Sequence, residues 1–181
     1  MGEIRKPIAG RPGEVERCDY EYVRNGTANL FLMVEPLHGW RNVNVTTRRT
    51  KVDFARQVKE LADVHYAQAD RITLVPDNLN THRMSSLYEA FAPEEARRLI
   101  ERFEIVHTPK HGSWLNMAEC ELSVLEKQTL GARIGDETEL RSRVTNWGND
   151  RNQRCRRINW QFRTPDARIK LRRLYPQIQM N

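Results

Sequence analysis

The feature that most restricts how this chain can fold is residues 72–82, ITLVPDNLNTH. A short apolar run ends at Pro76, which has no amide hydrogen to give to a sheet ladder, and Asp77 follows it. That is the pattern of a short buried strand carrying a carboxylate to its C-terminal edge, where open α/β sheets collect their sites. A second stretch, TPKHGSWLNMAE at residues 108–119, reads as a loop and then the first turns of a helix, with Glu119 near its start. A strand end and a helix start that meet at one edge would offer two carboxylates, Asp77 and Glu119, to a divalent metal. Alone, Asp77 would more readily be a turn former or a helix cap, and it is the second stretch that turns the reading towards a site. Asn78, Asn80 and His82 flank the first acid, and Trp114 and Asn116 precede the second; these are the supporting candidates. For His82 the residues leave two roles open, orienting a carboxylate or touching a phosphate, beside the plain one of opening the next helix.

Composition sets outer bounds. A chain of 181 residues, 39% hydrophobic and 30% charged, has material for one domain with a real core and a well-solvated surface. Cys18, Cys120 and Cys155 are odd in number and lack metal-ligand spacing, which argues against a disulfide framework and for a reducing, cytoplasmic setting. No apolar run approaches the roughly 20 residues needed to cross a bilayer, and no signal-peptide core opens the sequence. The formal charge of +6 is uneven: residues 131–181 hold 12 Arg or Lys against 5 Asp or Glu, while residues 1–130 hold 18 against 19. Arg151, Arg154, Arg156 and Arg157 lead the basic end, and Lys110 and His111 lie in the loop before Glu119. Guanidinium is always charged and grips phosphate through two bonds, so the four arginines, with Lys110 and His111 beside them, are the candidate DNA contacts; a solvated basic helix face is the alternative. His107 and His111 are four apart but straddle a strand end and a proline loop, which is not zinc-ligand geometry.

In chain order, residues 1–17 mix Pro and Gly with charges and predict a loop or disordered tail. Strands are expected at residues 20–22, 28–35 and 41–47, paired as antiparallel hairpins through the turn residues Asn25 and Gly26 and through EPLHGW. Thr50 and Asp53 make a capping signature for a helix over residues 50–66, whose apolar face is Phe54, Val58, Leu61, Ala62 and His65. Helices follow at residues 83–91 and 94–103, a strand at 104–107, and a helix from 113 to about 130. In the last, Leu115, Ala118, Leu122 and Leu125 form the expected buried stripe, with Glu119 at its edge and Glu121 on the opposite face. Helices at residues 136–150 and 166–175 complete the pattern, with Trp160 and Phe162 as expected anchors of the tail.

The motifs DNLNTH and HTPKHGSWLNMAE, with DYEYVRNGTANLFLMVEPLHGWRNV before them, resemble the catalytic domain of bacterial insertion-sequence transposases of the mariner superfamily, six-thirty branch, which are DDE endonucleases. The resemblance covers nearly all of residues 18–176. It implies an α/β fold of ribonuclease-H-like (retroviral-integrase-like) type, a mixed sheet flanked by helices, with the first strand absent here. It further implies that Asp77 is the second and Glu119 the third of three catalytic acids, separated by 41 residues, somewhat more than is usual in the family. The first acid of the family lies on a strand upstream of DYEY that this chain does not show, so the chain reads as N-terminally truncated: a loop remnant at 1–17, the endonuclease core at 18–130, and a basic helical extension at 131–181.

The implied chemistry is phosphoryl transfer on double-stranded DNA, at transposon ends and target, by two Mg²⁺ or Mn²⁺ ions; a homodimer is a further expected assembly, and the bacterial nucleoid the expected location. With two acids of three, weak or absent catalysis is expected. Two other classes stay open: a non-catalytic DNA-binding or regulatory fragment, and a ribonuclease-H-like hydrolase of RNA:DNA hybrids.

Overall fold

The computed structural model describes residues 2–3, 8–17, 21–77, 79–108, 112–170 and 172. Its elements in chain order are β1 (Gly2–Glu3), β2 (Tyr22–Val23), β3 (Asn29–Glu35), β4 (Trp40–Thr46), α1 (Lys51–Glu60), β5 (Ile72–Leu74), α2 (Leu87–Ala90), α3 (Pro93–Glu101), β6 (Phe103–Ile105), α4 (Ala118–Leu125), α5 (Glu137–Gln153) and α6 (Thr164–Lys170). This is a mixed α/β architecture of helices and small sheets. Among the described residues the strands form three separate pairs, not the single mixed sheet expected: β1 with β2, β3 with β4, and β5 with β6.

The central hairpin is the regular part. β3 and β4 are antiparallel over their full length, from Asn29 opposite Thr46 to Glu35 opposite Trp40. Gly39 closes the turn at φ +74, and a side chain there would meet the backbone of Cys155 at 2.8 Å, so only glycine fits. β2 departs from the expectation. It pairs with β1 instead of β3, and the stretch expected as a loop carries isolated bridges, Ile8 with Arg17 and Arg11 with Glu14. Residues 24–28 run past the turn chemistry at Asn25 without forming a hairpin, because the Asn25 side chain donates to the Gly135 carbonyl at 2.6 Å, which draws this segment towards the start of α5.

α1 starts where its cap says it should. Thr50 Oγ1 accepts the Asp53 amide at 3.2 Å while Asp53 Oδ2 accepts the Thr50 amide at 2.9 Å, so two otherwise orphaned donors are satisfied. A π-type turn, Leu61–His65, extends it. Phe54, Val58, Leu61 and Ala62 then bury one face against Phe31, Leu87, Leu99 and Phe103. His65 sits at the margin, within 3.3 Å of Glu60 Oε1 and 4.9 Å from the Trp40 ring. β5 and β6 run parallel, Ile72 opposite Phe103, joined through α2 and α3. A second core packs Val43 and Val45 of β4 against Leu125, Val144 and Trp147.

Beside the second core, on the same strand and helices, lies a buried charge cluster that the helical periodicity did not foretell. Glu121, expected on the outer face of α4, has its side chain 3% exposed, with Arg41 Nε at 3.1 Å and Arg151 Nη2 donating at 2.7 Å. Arg41 also donates to the Arg156 carbonyl, and Asn152 bonds the Arg41 main chain from both sides, at 2.8 Å each. α4 is thereby rotated: Leu125 is buried and Glu121 buried beside it, while Leu122, expected in the core, is 40% exposed.

Candidate functional site

The parallel pair β5–β6 delivers Asp77. The Ile72 amide donates to the Arg102 carbonyl at 2.8 Å and the Val106 amide to the Leu74 carbonyl at 3.0 Å, after which Val75 and Pro76 leave the ladder and Asp77 stands just past its C-terminal end. Here His82 takes one of its open roles. The chain turns back through a hydrogen bond from the His82 amide to the Leu79 carbonyl, 2.9 Å, and His82 Nδ1 bonds Asp77 Oδ1. The imidazole is stacked on Phe54 at 4.7 Å between centroids and lies 6.1 Å from Phe31. Packed this way, it fixes the carboxylate it touches. Its Nε2 is buried and has no hydrogen-bond partner among the described residues.

The second motif is brought to the same end by Asn116. Its Nδ2 donates to the Val75 carbonyl at 3.2 Å, and its Oδ1 accepts the Ala118 amide at 3.1 Å. One side chain thus pins the loop to the end of β5 and caps the first turn of α4, where the Glu119 amide bonds back to the Asn116 carbonyl at 3.0 Å. Asp77, His82, Asn116 and Glu119 all line one cleft of about 600 Å³. Asp77 is part-exposed and Glu119 exposed, so both carboxylates face solvent in that cleft.

The remaining candidates divide. Trp114 meets Phe162 edge-on at 5.1 Å, Phe162 meets Trp160 at 6.3 Å, and Lys170 lies 4.9 Å over the Trp114 ring, so these aromatics fasten the basic tail beside α4. Asn80 is exposed on the turn that His82 closes. Arg151 is largely buried and given over to Glu121 and to the Trp147 ring at 5.3 Å. Arg154, Arg156 and Arg157 are exposed, Arg154 with Asp150 at 2.8 Å. Asn78, Lys110 and His111 lie outside the described residues. Arg41 and Glu121 are the residues whose role sequence reasoning missed, because burial of an ion pair depends on what three separate elements bring together.

Two carboxylates, one held by a histidine and one exposed, are hard oxygen donors of the kind a divalent cation that keeps several waters takes. Among the described residues no group of three His, Cys, Asp or Glu converges as a metal site. Among the same residues no helix is long and apolar enough to cross a membrane. No curated protein and no solved structure matches the chain. Residues 2–141, which include both acids and every element that positions them, match the family described as DDE superfamily endonuclease, and the chain belongs to that family.

Proposed function

We propose that this chain is the catalytic-domain portion of an insertion-sequence transposase of the mariner superfamily, with a ribonuclease-H-like core, and that Asp77 and Glu119 hold Mg²⁺ or Mn²⁺ at a DNA-cleaving site. DDE superfamily endonucleases act on DNA and generally use divalent metal ions. The observation that carries the reading is the Asn116 bond to the Val75 carbonyl, which brings the Glu119 helix to the strand end bearing Asp77. When bound, a divalent ion supplies charge neutralisation and an activated water or 3′-hydroxyl. The chain's own contribution is positional: His82 orients Asp77, Asn116 orients the start of α4, and the exposed arginines Arg154, Arg156 and Arg157 take up phosphates.

A second reading, a DNA-binding fragment without catalysis, is supported by the lack, among the described residues, of any group of three His, Cys, Asp or Glu that could hold a metal ion. One assay separates the two. Mn²⁺-dependent nicking of duplex DNA that is lost with EDTA and in Asp77→Ala supports the first; DNA affinity unchanged by either, with no nicking, supports the second. Preferential cutting of an RNA:DNA hybrid would instead mark a hydrolase of that substrate.

A further inference from the structure

The cleft that holds Asp77 and Glu119 carries a charge that the function proposed above does not use. Among the described residues its charged lining is Glu35, Arg49, Arg71, Asp77 and Glu119. Glu35 is engaged: it accepts the Tyr66 hydroxyl at 2.6 Å and is bonded by His38. Arg71 lies 3.8 Å from Glu104 and stands just before β5, at the end of the strand away from Asp77. Arg49 is the cation that remains. A chain of contacts sets it at the Asp77 end: Thr50 caps α1, Phe54 lies in the first turn of that helix, the His82 ring stacks on Phe54 at 4.7 Å, and His82 Nδ1 bonds Asp77.

The backbone beside Arg49 is fixed, because the Thr50 amide donates to Asp53 Oδ2 at 2.9 Å and the Thr50 hydroxyl to the same oxygen at 2.7 Å. The neighbouring charges are thereby paired off: Asp53 serves the cap, and Lys51 Nζ donates to Glu89 at 2.6 Å. Arg49 itself is exposed, and among the described residues its side chain has no hydrogen bond and no ion pair. A phosphodiester that enters this end of the cleft meets two carboxylates that repel it, and a fixed cation at the rim offsets that repulsion. Guanidinium does so with a planar fork that takes two phosphate oxygens at once and never loses its charge. We propose that Arg49 grips a backbone phosphate of duplex DNA at the Asp77 end of the cleft. The proposal rests on the reading of Asp77 and Glu119 as a DNA-cleaving site, and it adds a contact that is separate in the chain from the arginines of the C-terminal extension.

The test is fluorescence anisotropy of a short labelled DNA duplex titrated with the full chain, in Mn²⁺ and in EDTA, over a series of salt concentrations. Arg49→Ala should weaken binding roughly tenfold at low salt and lower the salt slope by about one. Arg49→Lys should restore the slope and recover only part of the affinity, since the charge returns without the fork. Arg71→Ala removes the same charge from the other end of the same cleft and should bind as the parent does. Arg49 is exposed, so its variants should fold, which circular dichroism checks. Arg49→Ala binding as tightly as Arg71→Ala with an unchanged slope overturns the proposal, and so does a parent chain with no saturable binding of duplex. Asp77→Ala separates this contact from the reading beneath it. If Mn²⁺ tightens binding by the parent and Asp77→Ala removes that gain while Arg49→Ala changes nothing, the metal site stands and the Arg49 contact falls. If Arg49→Ala weakens binding in Mn²⁺ and EDTA alike while Asp77→Ala changes nothing, the Arg49 contact stands and the metal site falls.

Discussion

At the scale of single residues, the proposed site depends on how firmly its two carboxylates are held. Asp77 has its orientation set by His82, whose ring is itself clamped on Phe54, whereas Glu119 has only the first turn of α4 behind it. His82→Phe keeps the aromatic packing and removes the bond to Asp77. It should leave thermal stability near that of the parent and weaken Mn²⁺ binding about 10- to 100-fold, the usual effect of losing a partner behind a metal ligand. Asp77→Asn should cost more, since the proposed ligand itself is lost. Calorimetric Mn²⁺ titration of the two variants measures both, and equal affinity in parent and His82→Phe would remove His82 from the site.

Among the elements, α1 and α3 are joined by a charge network at the surface. The pKa of Asp63 is held down at about 2, first by its hydrogen bonds from Arg98 and then by Lys59, and that of Glu95 at about 2 by the same two cations. Arg98 donates to Asp63 at 2.8 Å and to Glu95 at 2.7 Å. Both acids are depressed in the folded chain, so the unfolded chain binds more protons as pH falls. The contribution is therefore present above the ordinary carboxylate range, about pH 4, and disappears as pH drops towards 2. The side chains are partly exposed, so each pair should be worth under about 1 kcal/mol, less at high salt. Urea midpoints of parent and Asp63→Asn/Glu95→Gln should differ near neutral pH and converge in acid. The elements themselves were readable because their signals are local: the Thr50–Asp53 cap, the Phe54–Val58–Leu61 face, and the Pro93 start of α3 each lie within a few residues. The partner of β2 was not readable, since Asn25 is drawn away by Gly135, far off in sequence.

For the molecule as a whole, Arg41, Glu121 and Arg151 lock the hairpin, α4 and α5 into one arrangement. Glu121→Ala should destabilise the fold by about 3–5 kcal/mol in urea unfolding, because it strands two guanidinium groups in the interior. Arg151 belongs to this lock, so Arg151→Ala should act on stability. Replacing Arg154, Arg156 and Arg157 with Ala should instead lower duplex DNA affinity and shrink its salt slope by about one for each phosphate no longer gripped. Fluorescence binding at several salt concentrations distinguishes the two effects. Adjacent residues alone were enough to say where most strands and helices lie, because periodicity and caps are local properties of the chain. The burial of Glu121, the exposure of Leu122 and the commitment of Arg151 to Glu121 emerged only from the folded arrangement. Each of those outcomes depends on the rotation of α4 about its axis, and that rotation is set by ion pairing with residues of β4 and α5, remote in the chain.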